Sequence, residues 1–538
     1  MGQTREFDYV IIGAGSAGCV LANRLSAQRD RTVLLLEAGG TDRNPLFRVP
    51  IMTGTLLRQR YANWFYFTEP EPELGGRKIF WPRGRVLGGS SSINGMVYTR
   101  GLPLDYDGWA QTGLPEWSFQ RVLPYFKRAE GSARGASAFH GADGPLRVTT
   151  ASGRNPLYEA FVNAGSQAGF PRCDDFNGAQ PEGFGRYDFT IAGGERWSSA
   201  RAFLDPAKAR PNLTIVTHAQ ATRVLVERGR AVGVEARVRG RMERFRCNGE
   251  VILSGGTVNS PAILLHSGIG DADQLLALGI DVAADVKGVG RNLQDHVLVR
   301  VEHACTQPIT LHSMLRPDRA VLALAQALLF KTGPATSFPI EAGAFFRSNP
   351  ALDTPDLQSH FLPGLSSMTL RLPFLRKPAL GHYGHGFFAN LYQLRPESRG
   401  EIALRSADPF DPPVIRPRYF SAARDRIVLR DGVKILRDVF AQKAFDAYRG
   451  AELAPGPDVR SDAEIEAWIR RTADTVFHPV GTCKMGTGPD AVVDEQLRVH
   501  GIAGLRVVDA SIMPTIPSAN THAPTVMIAE KASDMILG

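Results

Sequence analysis

Cysteine is scarce in this 538-residue chain: Cys19, Cys173, Cys247, Cys305 and Cys483 are odd in number and widely separated. With no C-x-x-C and no paired His/Cys spacing, neither a disulfide framework nor a metal centre is expected. Long apolar runs are also missing. The best candidate, residues 320–330, falls short of the roughly 18 to 20 residues a membrane span needs. It reads as a buried helix, with an amphipathic membrane-touching or entrance helix as the alternative. Charge is not concentrated, since 62 basic and 54 acidic residues are dispersed to a net +8. Without a basic block or an aromatic-interleaved patch, nucleic acid is not an expected partner. The chain is long enough for two cores, yet no linker-like composition divides it. A G-x-S-x-G elbow is absent, which argues against an α/β-hydrolase. The few residues ahead of the first strand are charged rather than apolar, so no signal peptide is expected. The cytoplasm is the expected location, with peripheral contact at the inner membrane face left open.

Glycine is present where it carries information. Residues 7–12 are an apolar, β-branched run that predicts a buried strand. Gly13-Ala14-Gly15-Ser16-Ala17-Gly18 follows, then a helical stretch over 19–25 and a second strand over 32–36 that ends in Glu37. In such a βαβ unit Gly13 makes the tight turn, Gly15 admits a pyrophosphate and Gly18 lets helix pack on strand. The helix N-terminus offers unpaired N–H groups to phosphates, and Glu37 is placed to accept from a ribose diol. This order of elements predicts an adenine dinucleotide site without choosing NAD or FAD. A second loop, Arg83-Gly84-Arg85-Val86-Leu87-Gly88-Gly89-Ser90-Ser91-Ser92-Ile93-Asn94-Gly95, is bracketed by apolar chain at 79–82 and 96–98. It is expected to lie buried against a large cofactor, its N–H groups forming an anion nest.

The remaining pattern is α/β, or α+β overall. Residues 41–82 read as irregular covering structure. Strands at 213–216, 223–226, 232–235 and 250–253 read as a meander whose last strand rejoins a parallel sheet, followed by a helix over 260–267. Strands at 401–404 and 414–416 and helices at 425–439 and 462–471 fall in a stretch without nucleotide signals. A strand at 505–508 and a closing helix at 524–536, with Pro at its start, return to the first unit. The expected division is a discontinuous Rossmann-like cofactor domain (1–155, 200–300, 465–538) and a substrate domain (156–199, 301–464) with an antiparallel sheet flanked by helices.

His478, in Val476-Phe477-His478-Pro479-Val480-Gly481-Thr482, is the catalytic candidate, with Asp509 and Asn520 a short way beyond. On local sequence alone, a structural histidine competes with this reading. A neutral imidazole takes a hydroxyl proton near neutral pH, and an amide can hold the same oxygen without competing for the proton. His522 could share that role.

These motifs together resemble the glucose–methanol–choline (GMC) flavoprotein oxidoreductases, particularly bacterial alcohol and choline dehydrogenase-like members. Residues 84–94 resemble the family's first signature and 256–270 its second. Asn292-Leu293-Gln294-Asp295-His296, residues 478–482 and Asp509-Ala510-Ser511-Ile512-Met513-Pro514 are family-like too. The resemblance implies FAD and a β-sheet substrate domain over the flavin. It also implies oxidation of a primary alcohol to the aldehyde, with His478 as base and Asn520 as its partner. Along the cofactor it places Gly13, Gly15, Ser16, Gly18, Glu37 and Ala38, then Trp64, Arg85, Gly88, Gly89, Ser90, Asn94, Gly95 and Val97. It adds the backbone of Ala221 at the adenine, and Asp509, Ala510, His522 and Thr525 near the ribityl chain and ring. Ile93 stands where some members carry a flavin-linking histidine, so noncovalent FAD is expected. His296 is expected to be structural, and Glu341 to be an ordinary buried or surface carboxylate rather than a substrate contact. Val476 is expected to be packing, although it could line an oxygen approach. Phe338, Phe361, Leu362, Phe374 and Leu375 suggest a neutral aliphatic or aromatic alcohol. The expected acceptor is a quinone or O2, with a dehydrogenase favoured over a peroxide-forming oxidase. A lyase on the same scaffold and an NAD enzyme are the rival readings, with a photodecarboxylase a distant third.

Overall fold

A computed structural model describes residues 6–366 and 384–538. Two large sheets organise them. The first has seven strands, and its centre is β1 (Glu6–Ile12), α1 (Ser16–Leu25) and β2 (Val33–Glu37). Val10 and Ile11 in β1 and Val33, Leu34 and Leu35 in β2 are wholly buried, as parallel strands covered on both faces require. Further along the chain come β3 (Leu213–Thr217), β4 (Ala219–Glu227), β5 (Arg230–Val238) and β6 (Arg241–Leu253). The sheet order is β3-β2-β1-β6-β5-β4, with one more strand paired to β6.

The expected meander is therefore shorter by one strand. Residues 213–217 pair parallel with β2, Leu213 opposite Val33 and Thr217 opposite Glu37. Alternation in sequence does not distinguish a parallel edge from a hairpin. The meander proper is β4-β5-β6. β6 is long enough to serve three partners, antiparallel to β5 over Arg241–Arg246, parallel to β1 up to Leu253 and parallel to a C-terminal strand over Val251–Leu253. α2 (Gly256–His266) starts four residues before the expected helix and carries Pro261 inside it.

The second sheet has eight strands. Its middle is β7 (Val297–Cys305), β10 (Gly386–Gln393), β9 (Leu357–Leu362) and β8 (Ala342–Phe346), all antiparallel. Short strands at Gly183–Arg186 and Arg172–Cys173 extend one edge. α4 (Ala423–Ala441) and the helix Pro156–Gln167 cover one face, where Phe161, Phe361, Phe387 and Phe440 form an aromatic core, and α5 (Asp462–Thr472) packs on α4. After β11 (Arg449–Ala454), β12 (Asp474–Thr475) pairs with β7. This sheet thus draws strands from both sides of the expected cofactor-domain limits.

The C-terminus returns to the first sheet. β13 (Leu505–Val507) pairs with β6, and α6 (His522–Leu537) is buried from Ala523 to Ser533. Glu530, with no exposed side-chain surface, receives Arg24 of α1 and Arg128, each at 2.7 Å, and ties the last helix to the first.

Helix α3 (Pro317–Phe330) contradicts the expected buried helix. Only Ala323 and Ala327 are buried in it, packed with Val49 and Ala335, while Val321, Leu322, Leu329 and Phe330 are 60–72% exposed. An apolar sequence does not reveal which side lacks a neighbour.

Candidate active site

Between the two sheets lies one elongated cavity of about 610 Å³, lined by residues from Ile12 to Thr525. At one end are Ala219–Thr222, Arg237 and Phe410, with the Arg237 guanidinium 3.4 Å from the Phe410 ring centre. At the other are His478, Asn520, His360 and Asn390.

Two glycine loops form the floor. Gly13 (φ +100°) turns where a Cβ would meet the Ser254 carbonyl, and a Cβ on Gly18 would lie 1.9 Å from the Gly13 carbonyl oxygen. A Cβ on Gly89 (φ +55°) would lie 2.6 Å from Gly15 Cα, so the loops touch at their glycines. Gly18 and Gly88 stand behind the cavity lining. Gly18 brings α1 onto β1. Gly88 (φ +86°) joins the two loops by donating its N–H to the Ala14 carbonyl at 2.8 Å.

The other expected contacts, Gly13, Gly15, Ser16, Glu37, Ala38, Trp64, Arg85, Gly89, Ser90, Asn94, Gly95, Val97, Ala221, Asp509, Ala510, His522 and Thr525, all line it. Glu37 accepts from the N–H groups of Ala14 (2.9 Å) and Gly39 (2.8 Å), and burial pushes its carboxyl up to about 7. Arg85 stacks over Trp64 at 4.8 Å, with its buried Nε unpartnered by protein. Asn94 is held by Arg196, which donates to its side-chain oxygen at 2.8 Å. Asp509 is committed to structure, its carboxylate accepting from Gly256 N–H (2.8 Å), Ser260 hydroxyl (2.6 Å) and Ser511 N–H (2.8 Å). It caps α2, and this explains the early start of that helix. α6 likewise begins at His522, two residues before Pro524, and Thr525 sits in its first turn with its hydroxyl on the Thr521 carbonyl. A floor that excludes side chains, an acid beside β2 and an unpaired arginine donor fit an adenine dinucleotide with its pyrophosphate.

At the far end, His478 Nε2 lies 3.1 Å from Asn520 Nδ2, and His478 Nδ1 lies 3.0 Å from His296 Nδ1. The proton positions follow from the acceptors. The Leu394 carbonyl, 2.9 Å from His296 Nε2, can only accept, so that nitrogen carries hydrogen. Burial lowers His296 to about 4, leaving it neutral with a bare Nδ1. His478 must then donate from Nδ1, and its Nε2 lone pair faces Asn520. Thr99 fixes the amide by donating to its Oδ1 at 3.0 Å. His478 itself is held well below its ordinary value by burial, then by His296, His360 and Arg83. Its backbone N–H donates to buried Asp295 at 2.8 Å, and Phe477 before it has φ +67°, a left-handed conformation costly for an aromatic residue. His296, expected to be structural, thus touches the candidate base directly. Its partner lies 182 positions away, beyond any local sequence signal.

His522 bonds Ser199 at 3.0 Å through Nε2, and burial lowers it to about 4. Glu341 is buried and receives Arg186 at 3.1 Å, as the ordinary reading has it. Among the apolar candidates, Phe338 lines the cavity. Phe361 belongs to the aromatic core, Leu362 is absent from the lining, and Phe374 and Leu375 lie outside the described residues. Val476 lines the cavity. Among the described residues, no three His, Cys, Asp or Glu gather as metal ligands, and no helix is long and apolar enough to cross a membrane.

Comparison with known proteins agrees with this architecture. Models of the GMC oxidoreductase family match residues 7–298 and 396–529. Mitochondrial choline dehydrogenase of Homo sapiens is 47% identical over 99% of this chain and 90% of that protein. The oxygen-dependent choline dehydrogenase of Chromohalobacter salexigens is 46% identical over 100% and 96%. Among solved structures, pyridoxine 4-oxidase from Mesorbium loti superposes with a TM-score of 0.87 at 32% identity, covering 98% of both chains. A formate oxidase of Aspergillus oryzae gives 0.91 at 28%, covering 99% of both. The family of flavoenzymes that the motifs resembled is therefore shown: the chain belongs to the GMC oxidoreductases and is an FAD-dependent enzyme of the alcohol-oxidising kind.

Proposed function

We propose that the chain oxidises a neutral primary alcohol to its aldehyde, with His478 Nε2 as the base. The observation that supports this most is the bare Nε2 beside Asn520, at the opposite end of the cavity from the Glu37 carboxylate. When bound, FAD supplies the two-electron acceptor. The chain's own residues do the rest. Asn520 Nδ2 and His478 Nε2 bracket one point where a hydroxyl oxygen can both accept from the amide and donate to the imidazole. When that proton arrives at Nε2, His296 Nδ1 accepts the remaining N–H, so the imidazolium keeps both its donors paired. Oriented proton transfer of this kind contributes about 10² to 10⁴-fold.

The substrate class rests on charge. Among the described residues, the acids lining the cavity are Glu37, Asp411 and Asp509. Glu37 and Asp509 are bound to backbone N–H groups, and Asp411 accepts from the Ser406 hydroxyl at 2.5 Å. Near His478 the lining is Leu298, Phe338, Ile340, Val476, His360 and Asn390, with Arg83 and Arg300 the charged members. A quaternary ammonium there would be desolvated without a counter-charge, which is costly. The 47% identity to a choline dehydrogenase makes choline the second reading. The test is anaerobic flavin bleaching by straight-chain and benzylic primary alcohols against choline. Faster bleaching by the neutral alcohols is expected, and faster bleaching by choline would reverse the assignment. Absence of bleaching by any of them would favour the non-redox lyase. For the reoxidation step we infer a quinone-type acceptor, in keeping with the dehydrogenase name of the human relative, whereas the oxygen-dependent name of the bacterial relative favours O2. Reoxidation of the bleached enzyme by a soluble quinone should outpace that by air, and peroxide at the quinone rate would make it an oxidase.

A further inference from the structure

We infer that α3 is a docking element for an anionic lipid surface. The helix is apolar on both faces. Its inner side, Ala323 and Ala327, rests on Val49 and Ala335, with Ile51, Met52 and Leu328 partly buried around them. Its outer side presents Val321 (68%), Leu322 (60%) and Leu329 (72%), with Phe330 (70%) at the C-terminal end. Val321, Leu322 and Leu329 stand at i, i+1 and i+8, one stripe of the helix. A contiguous exposed patch of this kind marks an interaction surface.

Charge selects the occupant. Residues 313–334 carry Arg316, Arg319 and Lys331 against the single acid Asp318. The segment beneath, residues 41–61, carries exposed Arg43, Arg48, Arg58 and Arg60 against Asp42 alone. Two of these cations are ion-paired, Arg316 with Asp318 at 3.0 Å and Lys331 with Glu195 at 2.6 Å, and Arg60 lies over the Phe65 ring at 4.5 Å with its charge uncompensated. The others leave a clear positive excess around an apolar stripe. A bilayer with anionic headgroups meets both features, taking Leu and Phe into its acyl boundary and Arg at the phosphates. A second copy of this chain would bring the same cations against each other. Met52, under the inner side of α3, adjoins Thr53, which lines the cavity.

The test is co-sedimentation of the FAD-loaded full chain with vesicles of phosphatidylglycerol and phosphatidylcholine, against phosphatidylcholine alone. Binding to the anionic vesicles that weakens with salt is expected. Leu322→Glu combined with Leu329→Glu should lower binding by about tenfold or more, while flavin content and alcohol-driven dye reduction stay unchanged. Arg319→Glu should weaken binding at low salt. No binding to anionic vesicles, or equal binding by the double variant, overturns the proposal. So does self-association that the double variant abolishes without any vesicle binding, which would make α3 a subunit contact.

Discussion

At the residue scale, the site depends on which nitrogen of His478 is bare. His296 decides it, and His296 is itself decided by the Leu394 carbonyl. His478→Ala should keep its flavin spectrum and lose about 10² to 10⁴-fold in turnover, whereas Asn520→Ala should lose less. Single-turnover bleaching measures both, and wild-type rates in flavin-loaded His478→Ala would remove the base assignment. The pH dependence has a definite sign. Burial, His296, His360 and Arg83 all lower His478, so Nε2 stays unprotonated as pH falls through 6.5. The acid limb of kcat/KM should therefore lie below pH 6.5, and a limb at or above it would contradict this environment. His478 and Asn520 were legible because each stands in a distinctive local context. His296 was legible as part of a motif but not as a contact, since its meaning depends on β7 being packed against the loop before His478.

At the scale of elements, the glycine loops and the strand–helix–strand unit could be read from sequence almost residue by residue, because a backbone that must approach another backbone admits only glycine. Gly89→Ala tests this directly. Its Cβ would sit 2.6 Å from Gly15 Cα at a φ of +55°, so flavin content should fall while far-ultraviolet circular dichroism stays near wild type. Full flavin loading would show that the loops can part. The errors share one cause. The edge strand β3 and the early start of α2 each depend on a neighbour supplied by distant chain, β2 for the strand and Asp509 for the helix. Periodicity reports which residues avoid water, not what covers them. α3 shows the limit, since a run that looks like core is left uncovered on one side by the described residues.

At the scale of the whole molecule, FAD should act as a clamp between the two sheets. A ligand at 100 times its Kd adds about 2.7 kcal/mol to stability, so for a chain of this length the apoprotein should unfold about 2 °C or more below the flavin-loaded form. Differential scanning fluorimetry with and without FAD measures this, and identical midpoints would mean that the cavity is not the flavin site. Ile93 is buried with Phe47, Leu56 and Val86, a hydrocarbon side chain with no atom able to bond the ring. Acid precipitation should therefore leave the yellow colour in the supernatant, and coloured pellets would show a covalent link.

The lining that runs from Ile12 to Thr525 also sets an order of events during synthesis. The first glycine loop leaves the ribosome well before the wall that faces it. A ribosome that stops between the two releases a chain whose lining lacks His478, Asn520 and Thr525, and such a chain should emerge colourless. Flavin uptake then reports that both walls are present in one molecule.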